Sequence, residues 1–487
     1  GGDEFNIDTV NVLKSDEAGL YSACDALIGV LVAQTKYEDA LATTDRCRSR
    51  SLVERLAGRV SAVDTGRPIV TADVAPLSVA ELKQVARDRQ ATIISYWIKS
   101  DRQPFQVSER EKDVLIWAIQ PNGTVTFHRS SIASAFEQAP SSSPSSDGGR
   151  GPSIETYLLE SRSDLGIAPR GVRIDKVNFR RADKLNRLHR LLIEPIANTL
   201  PQDPEALTIV IPHRSLYAVP FAALRDARGN YVIDNHTVIT APSIQALVYT
   251  QRRGQQIRQR PNTGEAIVVG NPTMPPFGEP PRPLEPLPGA EAEAKEVANL
   301  LGVPPLIGAS ATESAIAPRL VNAPLIHFAT HGLLDTIEVP LPELKLIGLL
   351  NLDPETTASK AFRSPGLIAL APSGMEDGYL ESAEISQLGL NANLVVLSAC
   401  NTSRGLSLGE GVVGLQRAFF AAGVPTIVGS LWYVPDEPTS KLMVEFYRNL
   451  DRGLSKAQAL RQAMLAVKST DPQPFSWAGF QLAGEPD

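Results

Sequence analysis

Apolar and polar positions along this chain change their period several times. Leu20, Ala23, Leu27, Val30 and Leu31 recur at helical spacing, and a second helical stretch, 37–58, follows a short turn. The segment 16–60 is thus expected to form two helices, a pair that cannot bury its apolar face alone. Residues 91–98 and 113–120 are β-rich, and Pro121-Asn122-Gly123 turns the second run into 124–128, a hairpin pattern. Residues 140–153 are Pro, Ser and Gly around one Asp and read as a flexible loop. Helical pattern returns near 182–198, followed by a buried strand, Leu207-Thr208-Ile209-Val210-Ile211. After a further strand at 266–269 and a Pro/Gly-rich stretch at 271–289, strand and helix alternate. Helices are expected at 290–301, 410–422, 437–450 and 455–468, and strands at 324–329, 394–398 and 425–429. Short apolar strands alternating with helices imply an α/β fold, a mostly parallel sheet with helices on both faces.

A chain of 487 residues divides into two or three domains: a helical segment at 1–62 and α/β units at 63–262 and 263–487. Hydrophobic residues make up 43%, enough for a real core, and 47 basic against 54 acidic residues argue against direct nucleic-acid binding. Apolar runs fall far short of the roughly 20 residues of a membrane span, and no signal peptide or membrane contact is expected. Three cysteines do not make a disulfide framework, so a reducing, cytoplasmic setting is expected, with Cys24 and Cys47 inert on helices. Gly1-Gly2-Asp3-Glu4-Phe5 spells the diguanylate cyclase signature, but no nucleotide-binding residues precede it here, and it is read as coincidence.

Reactive groups in open α/β sheets gather beyond the carboxyl ends of strands. One expected strand ends Phe328-Ala329-Thr330-His331-Gly332, and another ends Val396-Leu397-Ser398-Ala399-Cys400. A His and a Cys at the same sheet edge, 69 positions apart, can be neighbours. Only the thiolate attacks well, and an imidazole can take the thiol proton and later hand it to a leaving amine. Gly332 offers an N–H unobstructed by a Cβ, and the Cys400 N–H could join it as an oxyanion hole. Each residue also has a plain reading, since a Cys or His at a strand end is commonly packing. His327 reads as a satisfied interior histidine. The His327–His331 spacing imitates a zinc motif but lacks both the helix and the Glu, so no metal or cofactor is expected. Val412, Leu415, Phe419 and Ala422 form a core-facing helix stripe. Its start near Gly409-Glu410-Gly411 could favour a thiolate or be an ordinary helix start. Asp335, Glu381 and Glu384 read as loop or helix-start charges.

Ala329-Thr330-His331-Gly332, Val396 to Thr402, Gly409-Glu410-Gly411 and Ser430-Leu431-Trp432 form an ordered series. It resembles the CHAT family, caspase-like cysteine proteases associated with tetratricopeptide repeats and related to caspases and separase. Ala218-Val219-Pro220-Phe221-Ala222-Ala223-Leu224 and Gly270-Asn271-Pro272 are similar too. Lys36-Tyr37-Glu38-Asp39-Ala40-Leu41 looks like the small-residue junction of a tetratricopeptide repeat, a plain helical hairpin being the alternative. The resemblance implies a cysteine endopeptidase with His331 and Cys400 as dyad and the Gly332 and Cys400 amides as oxyanion hole. It also implies that Ser430, Leu431 and Trp432 meet substrate and that 63–262 is a catalytically empty, caspase-like half. Ser398 stands where basic-specific relatives carry an acid in the first substrate pocket, which implies an apolar or small P1 residue; Arg404 is a weak candidate for a charged specificity element. The loop 351–380 is expected to cap the groove. The implied partners are a protein or peptide substrate and a regulatory protein on the N-terminal repeat. The alternative is a catalytically silent scaffold that binds partners through its repeats.

Overall fold

The structure is a computed structural model and describes residues 23–65, 74–101, 110–136, 154, 157–158, 183–260, 264–277, 281–333, 366–374, 376–398, 411–432 and 434–487. Its centre is one eleven-stranded sheet in the order β3-β2-β1-β4-β5-β16-β15-β14-β10-β6-β9. The upstream strands are β1 (Thr92–Asp101), β2 (Arg110–Ile119), β3 (Val125–Ser131), β4 (Leu207–Ile211) and β5 (Thr237–Thr240). The downstream strands are β6 (Ile267–Pro272), β9 (Leu306–Gly308), β10 (Leu325–Ala329), β14 (Leu394–Leu397), β15 (Thr426–Ser430) and β16 (Phe480–Gly484). Two minor sheets join β7 (Pro276–Phe277) to β8 (Arg282–Pro283), and β11 (Gly332–Leu333) to β12 (Leu367–Ala369) and β13 (Tyr379–Glu381).

Pairing is antiparallel only at β2/β3, β1/β2 and β15/β16, and parallel elsewhere in the large sheet. The β15/β16 pair therefore reverses the sheet. β15, β14, β10, β6 and β9 run one way, while β16, β5, β4 and β1 run the other, so the carboxyl ends of the two sets lie at opposite edges. The central strands are mostly apolar because both faces are covered. Val396, Val428 and Leu482 enter one core, and Val395, Leu397, Ile427 and Ala483 enter the other, as the two-residue period of a strand requires.

On the first face lie α7 (Pro288–Leu301), α11 (Asp436–Asp451) and α12 (Lys456–Thr470); on the second lie α3 (Arg50–Thr65), α6 (Ile244–Arg258), α8 (Glu313–Leu320), α9 (Ser382–Gln387) and α10 (Gly411–Ala422). Other helices are α1 (23–33), α2 (Tyr37–Arg46), α4 (Val79–Asp88) and α5 (Asp183–Leu192).

The N-terminal helices depart from expectation in two ways. The second expected helix is split, because Ser49 takes a left-handed conformation (φ 48°) between α2 and α3. Cys24 and Cys47 are not separate thiols; they form a disulfide, the α1/α2 hairpin bringing their Cα atoms to 6.3 Å. That bond removes the cysteine argument for a reducing compartment. The helical unit is tied to the sheet by buried polar groups. Arg48 donates to the carbonyls of Ile211 (2.9 Å) and Pro212 (3.1 Å) at the carboxyl end of β4 and to that of Tyr96 in β1, and Asp45 accepts the first N–H groups of α6 from Ile244 and Gln245. Asp25 accepts from the Trp97 indole (2.9 Å) and pairs with Lys99 (2.5 Å).

The expected loop at 351–380 is partly sheet. Residues 351–365 and 375 lie outside the described residues, but β12 and β13 build an antiparallel platform that pairs Ile368 with Gly332. Among the described residues no helix is long and apolar enough to cross a membrane.

Candidate active site

β10 leaves the sheet after Ala329, and the next residues are gripped by β12. The Thr330 hydroxyl donates to the Ala369 carbonyl (2.9 Å), and the Ala369 N–H donates to the His331 carbonyl (2.9 Å). His331 is 3% exposed, with Nε2 at 2.8 Å from the main-chain carbonyl of Glu285. A carbonyl only accepts, so Nε2 carries the hydrogen and Nδ1 of the neutral ring keeps the lone pair. In this orientation the basic nitrogen of the neutral ring is Nδ1. Glu285 carries no sequence signal for this role, because every residue has a carbonyl and only the fold selects one.

β14 lies directly beside β10, and the parallel register pairs Phe328 with Leu397. Cys400, Ala399, Arg404, Asp335, Gly409 and Glu410 lie outside the described residues. Ser398, the last described residue of that segment, is buried, and its hydroxyl has no hydrogen-bond partner among the described residues. Gly332 is buried in β11.

Ser430 pairs with Phe480 of β16, and the Leu431 N–H donates to the Gly479 carbonyl (2.7 Å). Trp432 is 2% exposed, and its indole N–H donates to the Phe475 carbonyl (3.1 Å). Of these three residues, expected to meet substrate, the Leu431 N–H is held within the protein and Trp432 is buried among the described residues. β16 lies along the side of β15 away from β14.

His327 is an interior histidine, fully buried on the face opposite Phe328. Its Nε2 donates to Glu293 Oε1 on α7 (3.0 Å), and the Tyr447 hydroxyl on α11 donates to its Nδ1 (3.0 Å). Burial and the Glu293 charge push the Tyr447 phenol far up, so it stays protonated. With both ring nitrogens engaged, His327 has no lone pair for zinc, and among the described residues no group of His, Cys, Asp and Glu could hold a metal. Glu384 caps α9 by accepting the Glu381 N–H (2.8 Å), a helix-start role for both.

The geometry can be compared with known proteins. Tetratricopeptide repeat protein 28 of Homo sapiens and its counterpart in Mus musculus are each 31% identical over 328 residues, covering 62% of this chain. The chain spans only 13% of the length of those relatives. Among solved structures, a Saccharomyces cerevisiae separase–securin complex covers 93% of this chain and 34% of its own at 13% identity and TM-score 0.45. The Arg specific cysteine proteinase gingipain R covers 68% of this chain and 74% of its own at 12% identity and TM-score 0.36. The CHAT domain matches residues 182–485. That match takes in the strands β4 to β16 and the sequence around both His331 and Cys400, and this chain belongs to the CHAT domain family.

Proposed function

We propose that this chain is a cysteine endopeptidase acting through Cys400 and His331. The observation that supports the reading most is the orientation of His331, whose Nε2–H is given to Glu285 so that Nδ1 is the basic nitrogen. The register adds to it. In sequence, His331 and Cys400 each follow by three residues the paired Phe328 and Leu397 of two adjacent parallel strands. In the reaction, Nδ1 takes the Cys400 proton and the thiolate attacks the peptide carbonyl carbon. The oxyanion that forms is received by the Gly332 and Cys400 amides. Collapse expels the amine, which takes the proton from Nδ1–H and leaves an acyl-enzyme. Water, deprotonated by Nδ1, then hydrolyses the thioester and frees the thiol.

The upstream half is read as catalytically empty. His213, at the carboxyl end of β4, accepts the Ile98 N–H on Nδ1 (3.0 Å) and stacks on Trp97 at 4.0 Å between centroids. Burial, followed by the charges of Arg48 and Arg214, holds its pKa well below the usual range, so it serves as a neutral structural ring.

The test is covalent labelling of wild type, Cys400→Ala and His331→Ala by a thiol-directed acylating probe. Rapid labelling at Cys400 that falls at least about 100-fold in His331→Ala is expected, within the range of general-base effects. A slow rate at Cys400, equal in wild type and His331→Ala, would leave the second reading, a silent scaffold binding protein partners. The burial of Ser398, Ser430, Leu431 and Trp432 favours that second reading.

A further inference from the structure

The Glu285 carbonyl is held in place by a short segment, 284–287, that lies between β8 and α7. Both ends of this segment are pinned to residues just after β6 or at its end. The Leu284 N–H donates to the Pro275 carbonyl (3.2 Å), and the Leu287 N–H donates to the side-chain oxygen of Asn271 (2.7 Å). The other half of the Asn271 amide donates to Glu291 in the first turn of α7 (3.1 Å). Asn271 sits in the left-handed region (φ 43°), which short polar side chains tolerate better than most, and this turns its amide toward the helix start. Leu287 has no side chain of its own that could cap α7, and Asn271 holds the point where the segment meets the helix. β6 is also the strand next to β10, with Gly270 in register with Ala329, two residues before His331.

We propose that Asn271 is a positioning residue for His331: by fixing Leu287 and the first turn of α7 it holds the Glu285 carbonyl against Nε2, and so selects the tautomer whose Nδ1 is basic. Hydrogen bonds join Glu291 to Asn271, Asn271 to Leu287 and Glu285 to His331, and two residues of main chain carry the constraint from Leu287 to Glu285. The catalytic consequence rests on the dyad reading above, whereas the tautomer does not.

The experiment uses the full chain labelled with 15N-histidine, the His331 signal being assigned among the six histidines by its loss in His331→Gln. Two-bond 1H–15N correlations report which ring nitrogen carries the hydrogen. Wild type is expected to show Nε2–H alone. Asn271→Gly keeps the left-handed backbone but removes both amide bonds; it should give a mixed tautomer, a shifted His331 titration midpoint and a fall of at least about tenfold in Cys400 labelling by iodoacetamide. Retention of pure Nε2–H in Asn271→Gly, with only a lower melting temperature, would overturn the proposal and leave Asn271 a structural residue. Should Asn271→Gly not fold, Asn271→Asp keeps an acceptor for the Leu287 N–H and should keep the Nε2–H tautomer; loss of that tautomer would also overturn it. Were Cys400 unreactive in wild type while the tautomer still followed Asn271, the dyad would fail and the positioning role would stand.

Discussion

Gly270 meets α7 at a close helix–strand approach, and replacing it with alanine tests whether that approach sets His331. A Cβ built at Gly270 would lie 2.3 Å from the Ala294 Cβ and 2.7 Å from the Ala290 carbonyl oxygen. Carbon atoms in contact need about 3.5 to 4 Å, so α7 must retreat by roughly 1.5 Å at that rung. Neither obstacle is the end of a flexible side chain, so rotamer changes cannot relieve it. Overpacking of this kind costs about 1–3 kcal/mol, and a clash with helix backbone belongs at the upper end. The same retreat would stretch the His331–Glu285 contact from 2.8 Å past hydrogen-bond range. Gly302, at the other end of α7, is the control. It has φ 68° with nothing within 4 Å of a built Cβ, so Gly302→Ala carries only the left-handed backbone cost of about 1 kcal/mol. Urea midpoints give the stabilities, and 15N-histidine spectra give the His331 tautomer. Gly270→Ala should be about 2 kcal/mol less stable than Gly302→Ala, and it alone should lose the pure Nε2–H signature. Equal stabilities with an unchanged His331 in both would refute the reasoning.

Three further outcomes are expected. Arg59 of α3 is buried and donates to the carbonyls of Ala421 and Ser386 (2.9 Å), its guanidinium lowered to about 10 mainly by burial; Arg59→Met should cost roughly 3 kcal/mol in urea unfolding, and a cost near zero would show those carbonyls satisfied otherwise. Lys456 is buried and lowered from 10.5 to about 8, chiefly by desolvation, so between pH 8 and 10.5 the unfolded chain binds more protons than the folded one and stability rises with pH. Relative to Lys456→Met, wild type should gain up to about 3 kcal/mol across that window, and a flat difference would contradict the burial of a charged amine. Reducing the Cys24–Cys47 bond, which spans a sequence separation of 23, should lower stability by about 3 kcal/mol, read as a melting-temperature shift absent from a Cys24→Ala/Cys47→Ala variant.

Much of the downstream half was legible in the letters because its strands are buried on both faces. Leu325 to Ala329, Leu394 to Leu397 and Thr426 to Ser430 are short, mostly apolar runs of strand length, and the helices around them carry matching apolar stripes. His331 stood out as a reactive letter just past such a run. Strand order did not stand out, since it is set by long-range pairing rather than local pattern. The insertion of β16 between β5 and β15 therefore went unseen, and with it the burial of Trp432. Main-chain partners such as Glu285, and the meeting of Cys24 with Cys47 across a helical turn, are products of the folded path and have no letter of their own. The split at Ser49 was hidden for a related reason, because no glycine marked the left-handed residue.

β16 also constrains the order in which the molecule can be assembled. It follows every other described strand along the chain, yet it fills the central slot, parallel to β5 on one side and antiparallel to β15 on the other. Until it arrives, two half-sheets each present a bare row of N–H and C=O groups, the kind of border that recruits foreign strands. A chain lacking Phe480–Gly484 thus keeps two exposed borders, and these five residues act as the keystone that closes the sheet.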